Sequence, residues 1–263
     1  MSSRTRKGSG ATGAKVAGAG GTSGGKNGDG DKVSAGDKGG KRAGASEPAG
    51  RAEPARPHQG GQQAALTRYR EKRHFGRTSE PRGEGTEPGG APSFVVQIHD
   101  ASTMHFDFRL EVDGVLKSWS VPKGPSPDPR EKRLAMPTED HPMEYRDFEG
   151  IIPAGEYGGG TVIVWDQGTY QPLTEDFAAG LERGHVKFRL EGSKLRGGYA
   201  LTRFRGGSGE DGRAAWLLVK ENDERAVRDG RTPDPVRARS ARTSRTLKQV
   251  GAQATEEDTW HSE

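Results

Sequence analysis

Alternation of polar and apolar residues is strongest between residues 105 and 112. In His105–Val112 the even positions are Phe, Phe, Leu and Val, and the odd positions are His, Asp, Arg and Glu. Because successive side chains of a strand point to opposite faces, this period of two predicts a β-strand with one core-facing side and one polar side. Asp113-Gly114 and a new apolar run at 115–121 follow, which predicts a hairpin closed by a type I′ turn.

Short apolar runs separated by turn residues recur through the rest of the central region. They predict strands at 94–98, 185–190, 199–204 and 216–220, and a second hairpin of Thr161–Trp165 and Thr169–Gln171 across Asp166-Gln167-Gly168. Helices are predicted at 64–73, anchored by Leu66 and Tyr69, and at 177–183, ended by Gly184. The pattern favours a mostly β fold: a single closed or nearly closed antiparallel β-barrel with short peripheral helices and disordered termini.

The two ends of the chain differ in composition from this central region. Residues 1–60 hold eleven Lys and Arg against five Asp and Glu and almost no large apolar side chain, so we expect disorder. This segment is either a tether for polyanions such as DNA or a solubilising tail. We therefore expect a basic tail at 1–62, a barrel domain at 63–229 and a charged, disordered tail at 230–263.

Two absences in the sequence narrow the chemistry. The chain has no cysteine, which excludes disulfides and thiolate metal sites. It also has no apolar run near the roughly 18 residues that span a bilayer and no secretory signal pattern, so we expect a cytoplasmic protein and no membrane partner.

Candidate metal ligands lie on the polar face of the strand predicted at 105–112 and just upstream of that strand. His99, His105 and Asp107 would give two imidazoles and one carboxylate, with open positions for water or substrate, which is typical of a catalytic metal site. Mn²⁺, Zn²⁺, Fe²⁺ and Co²⁺ all suit these ligands. The alternative is two surface histidines beside an acid.

Other side chains suit a phosphate. Arg109, Lys123 and Arg133 could form a cationic clamp on a phosphoryl group, although basic residues are common on surfaces. His141, held before a proline, and Tyr145 could donate to the same oxygens, or His141 could act as a general acid or only stabilise its turn. The glycine-rich segment 150–160 lacks the Gly-Lys-Ser/Thr of a phosphate-binding loop, and we interpret it as a connection between strands.

These motifs, in this order, resemble the 3′-phosphoesterase domain of bacterial DNA ligase D, which also occurs as free-standing bacterial and archaeal proteins. The likeness runs from about Leu66 to about Asp229. The segments that carry it are Tyr69–Pro81, Phe94–Ala101, His105–Glu111, Lys117–Trp119, Val121–Gly124, Glu139–Pro142, Phe148–Gly150, Gly192–Gly197 and Trp216–Lys220.

The resemblance implies a manganese-dependent enzyme, with Co²⁺ as another candidate, whose surface groove takes the 3′ end of a DNA primer. Such a domain removes a 3′-terminal ribonucleoside and then the remaining 3′-phosphate, leaving a 3′-OH for a ligase. By motif, it implies these roles: His99, His105 and Asp107 as metal ligands; Arg109, His141 and Tyr145 on the scissile phosphate; Gln97, Lys123, Arg133 and Glu139 in support; and Arg73 and Glu80 in the ribonucleoside step.

One departure from the family pattern is His74, where members commonly carry Asp, and it concerns the ribonucleoside step. The chain also contains no ligase or polymerase module, so we expect a free-standing, nucleoid-associated and monomeric esterase that works with an ATP-dependent DNA ligase and other end-joining proteins. Two alternatives stay open: a non-catalytic DNA-binding barrel that recruits repair partners, and a metal-dependent esterase of small phosphorylated metabolites.

Overall fold

The structure is a computed structural model that describes residues 59–84, 89–204 and 215–260. These residues fall within one compact unit that begins at residue 54. The basic tail predicted at 1–62 lies almost entirely outside the described residues. None of the described helices is long and apolar enough to cross a membrane.

Nine antiparallel strands form the described sheet. They run in the order β1-β2-β3-β4-β9-β8-β7-β6, and β6 pairs again with β1, so eight strands close a barrel while β5 extends the sheet beside β6. This confirms the predicted closed antiparallel β-barrel. The strands are β1 Ser93–Asp100, β2 Met104–Val112, β3 Val115–Val121, β4 Lys132–Pro137, β5 Gly150–Ile152, β6 Gly160–Pro172, β7 His185–Gly192, β8 Arg196–Phe204 and β9 Ala215–Lys220.

The barrel interior follows from the alternation in the sequence. Phe106, Phe108 and Leu110 of β2 point inward, and alternate residues of β1 do the same. The ring of Phe108 lies 5.9 Å from that of Phe188 across the barrel. Burial of such aromatic and aliphatic side chains provides the main favourable free energy of the fold.

A second buried cluster, which we call the outer cluster, covers the outside of the barrel over β1, β3 and β6. It includes Leu66 and Tyr69, packed against Val95, Leu116 and Tyr145. Its elements are α1 Gln59–Ala65, α2 Thr67–Glu71 and a 3₁₀ helix at Met143–Asp147. The helix predicted at 64–73 is thus two short helices, although Leu66 and Tyr69 are buried as expected.

Two local predictions are confirmed in detail. Asp113 and Gly114 both have positive φ, 50° and 78°, as a type I′ turn requires. Helix α3, Phe177–Arg183, begins after Asp176, whose side chain accepts from the amide of Ala179, and ends at Gly184 with a φ of 93°.

The second predicted hairpin is wrong, because β6 runs unbroken through Asp166-Gln167-Gly168. Val96 pairs with Asp166 and Gln97 with Val164, so Trp165 is an extra residue in a β-bulge. The buried carboxylate of Asp166 accepts from the amides of Lys194 and Leu195. Polar and glycine residues that suggest a turn here build a bulge.

The segment after residue 229 also differs from the expected disordered tail. Ala238, Leu247 and Val250 are buried in the same cluster as the barrel interior. Helix α4, Leu247–Trp260, packs against β5 and β6. The Ala241 amide donates to the Val164 carbonyl at 2.8 Å. The high charge of this segment concealed the few apolar residues that bind it to the barrel.

Candidate active site

The first two strands bring the three candidate metal ligands together on the outer face of the barrel. His99 of β1 lies opposite His105 of β2, and Gln97 lies opposite Asp107. Neighbouring even-numbered residues of both strands face the interior, so these odd-numbered residues face outward. The hairpin register alone therefore assembles the group.

The three side chains have the spacing of a metal site. His99 Nδ1 lies 3.7 Å from Asp107 Oδ2, and His105 Nε2 lies 3.6 Å from Asp107 Oδ1. One ligand atom from each residue lies within 4.8 Å of the others, and no other such group occurs in the part of the chain that the structure describes. Two imidazoles and one carboxylate form a donor set suited to a divalent ion.

Backbone carbonyls hold both imidazoles in place. His99 Nε2 lies 2.7 Å from the Gly158 carbonyl, and His105 Nδ1 lies 2.7 Å from the Thr103 carbonyl. Since a carbonyl oxygen only accepts, these nitrogens are the donors, and the lone pair of each ring is on the nitrogen that faces Asp107. This is the arrangement that metal-binding histidines require, so the residues present fit a metal ion.

Arg109 joins the ligand group to the rest of the cleft. Its guanidinium donates from Nη2 to Asp107 Oδ2 at 3.0 Å, from Nε to Gln97 Oε1 at 2.8 Å and from Nη1 to Ser118 Oγ at 2.8 Å. Burial alone would raise the pKa of Asp107, but the charge of Arg109, the largest opposing cause, holds it far below its usual range. The Asp107 side chain is therefore a carboxylate anion at any physiological pH.

Gln97 is fully buried, and its side chain holds Arg109 in position. Its Nε2 donates to the carbonyls of Tyr145 and Phe148 at 3.1 and 2.9 Å. Its Oε1 is then fixed toward Arg109, which makes Gln97 a positioning residue.

The N-terminal arm contributes a second buried guanidinium. Arg73 donates from Nε to Glu80 at 2.8 Å and from Nη1 to Glu139 at 3.1 Å. Its Cζ stacks 3.7 Å above the ring of Tyr69. Tyr145 donates its hydroxyl to the same Glu80 oxygen at 3.0 Å. These contacts with buried partners thereby fix Arg73 at the wall of the cleft.

His141 lies between the two guanidiniums. Arg109 Nη1 is 2.9 Å from its Nδ1, and Arg73 Nη2 is 3.2 Å from its Nε2. Burial, and then these two cations, lower the pKa of His141 well below its usual value. Burial and the nearby Glu80 raise the pKa of Tyr145 well above its usual value. Both rings are therefore neutral at pH 7.

Two of the cations predicted for the site do not line this cleft. Lys123 is exposed in the turn after β3, whose last residue, Val121, pairs with Phe106 beside His105. Arg133 of β4 bonds to Glu131 and lies 3.5 Å from Thr232 Oγ1. Both are outside the group of side chains that the fold brings together.

The cleft has a volume of about 280 Å³, and one of its lining residues that the sequence did not single out is Tyr157. Lys72 donates to Glu139 and to the Tyr157 hydroxyl, each at 3.0 Å. Only the glycine-rich composition around Tyr157 singled out that segment in the sequence. The lining residues are Arg73, His99, Ala101, Ser102, His105, Asp107, Arg109, Thr138, Glu139, His141, Tyr145, Ile152, Tyr157 and Gly158.

His74, the departure in the arm, lies outside the cleft. Its imidazole is three-quarters exposed and its Nδ1 is 2.9 Å from Glu156 Oε2. Arg77 reaches the other oxygen of Glu156 at 3.5 Å. The arm is thus tied to the loop that carries Tyr157.

Comparison with known proteins identifies a family to which this region is similar. Residues 97–203 match the DNA ligase D 3′-phosphoesterase domain. The chain is 51% identical over 165 residues to the multifunctional non-homologous end joining protein LigD of Pseudomonas aeruginosa, covering 61% of this chain and 19% of that protein.

Mycobacterial relatives align with the same region. The LigD protein of Mycobacterium tuberculosis is 49% identical over 142 residues, which cover 54% of this chain and 18% of that protein. The LigD protein of Mycolicibacterium smegmatis is 40% identical over 171 residues, which cover 62% and 21%. The chain therefore spans about a fifth of the length of these relatives.

Proposed function

We propose, from the match of residues 97–203 to the DNA ligase D 3′-phosphoesterase domain, that the chain is a metal-dependent phosphoesterase that repairs DNA 3′ ends for end joining. One observation carries the proposal. His99, His105 and Asp107 form a ligand group whose carboxylate is bonded to Arg109 in the same cleft. A metal site beside fixed guanidiniums suits the charged oxygens of a phosphoester.

The metal we propose is Mn²⁺, with Co²⁺ as another candidate, held by His99, His105 and Asp107. A divalent ion bound there would polarise a phosphate oxygen and lower the pKa of a bound water. The carbonyls of Gly158 and Thr103 keep the two imidazoles oriented for this ion.

The guanidiniums of Arg109 and Arg73 would offset the charge that develops on the phosphoryl oxygens. Both are held by buried acceptors, so their positions are set before a substrate binds. Such preorganised charge costs no reorganisation during the reaction.

His141 and Tyr145 would bind phosphate oxygens as neutral hydrogen-bond partners. The lowered pKa of His141 leaves little imidazolium at neutral pH, which favours this role over that of a general acid. Lys123 and Arg133 would instead meet DNA phosphates beyond the cleft. Gln97, Glu80 and Glu139 would keep the guanidiniums in place.

The substrates we propose are primer ends that carry a 3′-terminal ribonucleoside or a 3′-phosphate, and the product is a 3′-OH. An ATP-dependent DNA ligase and other end-joining proteins would use that product, at the nucleoid in the cytoplasm. The basic segment at 1–62 would add sequence-independent, salt-sensitive DNA affinity.

The test offers three substrates to the full chain with Mn²⁺: a primer–template with one 3′-ribonucleotide, one with a 3′-phosphate, and p-nitrophenyl phosphate. We expect conversion of both primers to 3′-OH, and a loss of at least about 100-fold (about 2.7 kcal/mol) in Arg109→Ala but not in Arg189→Ala, which changes a partly exposed arginine on β7.

Two other outcomes would overturn the proposal. Turnover of p-nitrophenyl phosphate with untouched DNA ends would indicate an esterase of small metabolites. DNA binding without turnover of any substrate would indicate a non-catalytic recruiter.

A further inference from the structure

Tyr157 is an exposed aromatic ring in a cleft whose other lining residues include guanidiniums and the proposed metal ligands. Its side chain is 48% exposed, and the other exposed large hydrophobic residues in the described ranges are aliphatic: Leu134, Leu173, Val227 and Val236. Of these five, Tyr157 is the one that lines the cleft beside His99 and Arg73. An unshielded ring at this place needs an explanation other than packing.

The residues on either side of Tyr157 fix its position relative to the metal group. The carbonyl of Gly158 accepts from the ligand His99 at 2.7 Å. The side chain of Glu156 bonds to His74 of the arm at 2.9 Å. Two backbone hydrogen bonds close the turn. The Glu156 amide donates to the Pro153 carbonyl at 3.1 Å, and the Gly159 amide donates to the Glu156 carbonyl at 3.0 Å. The ring of Tyr157 is thus carried by the residue next to Gly158, whose carbonyl bonds to the proposed metal ligand His99.

Lys72 anchors the phenol to the cleft wall. Its Nζ lies 3.0 Å from the Tyr157 hydroxyl, 3.0 Å from Glu139 Oε2 and 4.2 Å from the ring centroid. Glu139 is in turn bonded to Arg73 at 3.1 Å. These contacts hold the Tyr157 side chain in place while about half of its surface stays exposed to solvent.

The proposed metal ligands and the guanidiniums of the cleft suit the phosphoryl group and not the nucleoside attached to it. Metal ligands and guanidiniums recognise the phosphoryl group itself, whatever its substituents. An open aromatic face recognises a nucleobase, since every base has a π-face, and such stacking contributes about 1–3 kcal/mol per base.

We propose that Tyr157 stacks on the base of the 3′-terminal ribonucleoside and is a specificity-determining residue for its removal. This inference rests on the proposed function and adds the group that selects the leaving nucleoside. The 3′-phosphate left by that step carries no such nucleoside, so the ring discriminates between the two reactions.

The experiment measures the ratio of kcat/KM on a 3′-ribonucleotide primer to kcat/KM on a 3′-phosphate primer. We expect Tyr157→Ala to lower this ratio about 5- to 150-fold, which corresponds to 1–3 kcal/mol, and Tyr157→Phe to retain it. Leu173→Ala, which truncates an exposed side chain just after β6, is the matched control and should keep the wild-type ratio.

A third primer ends in a ribose without a base, joined through the same phosphodiester. On this primer we expect wild type and Tyr157→Ala to have equal kcat/KM, because no base is present to stack. An unchanged ratio in Tyr157→Ala, or an equal loss in Tyr157→Phe, would overturn the inference while the proposed function stands. If wild-type protein converts neither natural end, the proposed function fails and the inference fails with it.

Discussion

The neutral side chain of Gln97 fixes the position of the Arg109 guanidinium in the cleft. It accepts from Arg109 and donates to two carbonyls of the 3₁₀ segment, so the guanidinium has one orientation. Arg109 in turn bonds to Asp107, a proposed metal ligand. The orientation of Arg109, and with it the contact of Arg109 with Asp107, therefore depends on one buried amide.

His141 gives a pH dependence of stability with a definite sign. Its pKa is lowered in the folded protein, so below about pH 6.5 the unfolded chain binds a proton that the folded chain does not. The unfolding free energy should fall as the pH is lowered from 7 toward 5, by up to about 1.4 kcal/mol per pH unit. Urea denaturation at pH 5, 6 and 7 measures this slope.

The His141→Gln variant should have a shallower slope than wild type between pH 5 and pH 7. The matched control is His185→Gln, which changes an exposed histidine on β7, and it should keep the wild-type slope. Equal slopes in wild type and His141→Gln would contradict the account.

How far the sequence predicts the site depends on how far apart its members lie in the chain. The register of β1 against β2, which sets His99 opposite His105 and Gln97 opposite Asp107, forms across one short connection. The alternation of polar and apolar residues predicted only that His105, Asp107 and Arg109 share one face of a strand. The contacts of Lys72 join residues 67 and 85 positions apart, and no local pattern encodes them. Lys123 and Arg133 are positively charged like Arg73 and Arg109, but the fold places them outside the cleft.

At the scale of elements, β6 shows why turn signals are ambiguous. Asp166-Gln167-Gly168 has the composition of a hairpin turn, yet both flanking segments pair with β1 in one continuous strand. Asp166 satisfies the amides of Lys194 and Leu195, a tertiary contact 28 and 29 residues away that only a bulge permits. The Asp113-Gly114 turn needed no such distant partner, and its prediction is confirmed.

Asp166→Ala should destabilise the protein, because two backbone amides would lose their acceptor in a buried place. We expect the unfolding free energy to fall by about 2–3 kcal/mol, measured by urea denaturation. Thr169→Ala, at an exposed position of the same strand, should change it by no more than about 0.5 kcal/mol. A similar small effect in both variants would show that the bulge does not depend on this carboxylate.

At the scale of the whole molecule, the barrel and the site use opposite faces of the same two strands. The even-numbered residues of β1 and β2 fill the interior, and the odd-numbered residues form the cleft. The outer cluster and helix α2 then bury the polar groups of the cleft, which strengthens their electrostatic interactions. Mostly β composition predicted the barrel, but the cover over its outer face comes from residues distant in sequence.

The C-terminal segment also packs against the barrel, contrary to what its charged composition suggests. Leu247→Ala should lower the unfolding free energy by about 2–4 kcal/mol, because this leucine is 5% exposed and packs in the core cluster. Val236→Ala, at a side chain that is 63% exposed, is the control and should have little effect. A melting temperature equal to that of wild type in Leu247→Ala would show that the segment does not stabilise the barrel.

The most direct test of the proposed metal-dependent reaction compares His105, a proposed metal ligand, with His185, which is exposed on β7. Release of phosphate from a 3′-phosphate primer is measured with Mn²⁺, with and without EDTA, together with Mn²⁺ binding by electron paramagnetic resonance. The account predicts that EDTA abolishes the reaction and that His105→Ala loses Mn²⁺ binding and at least about 100-fold in rate, while His185→Ala retains both. Full activity in EDTA, or in His105→Ala, would contradict it.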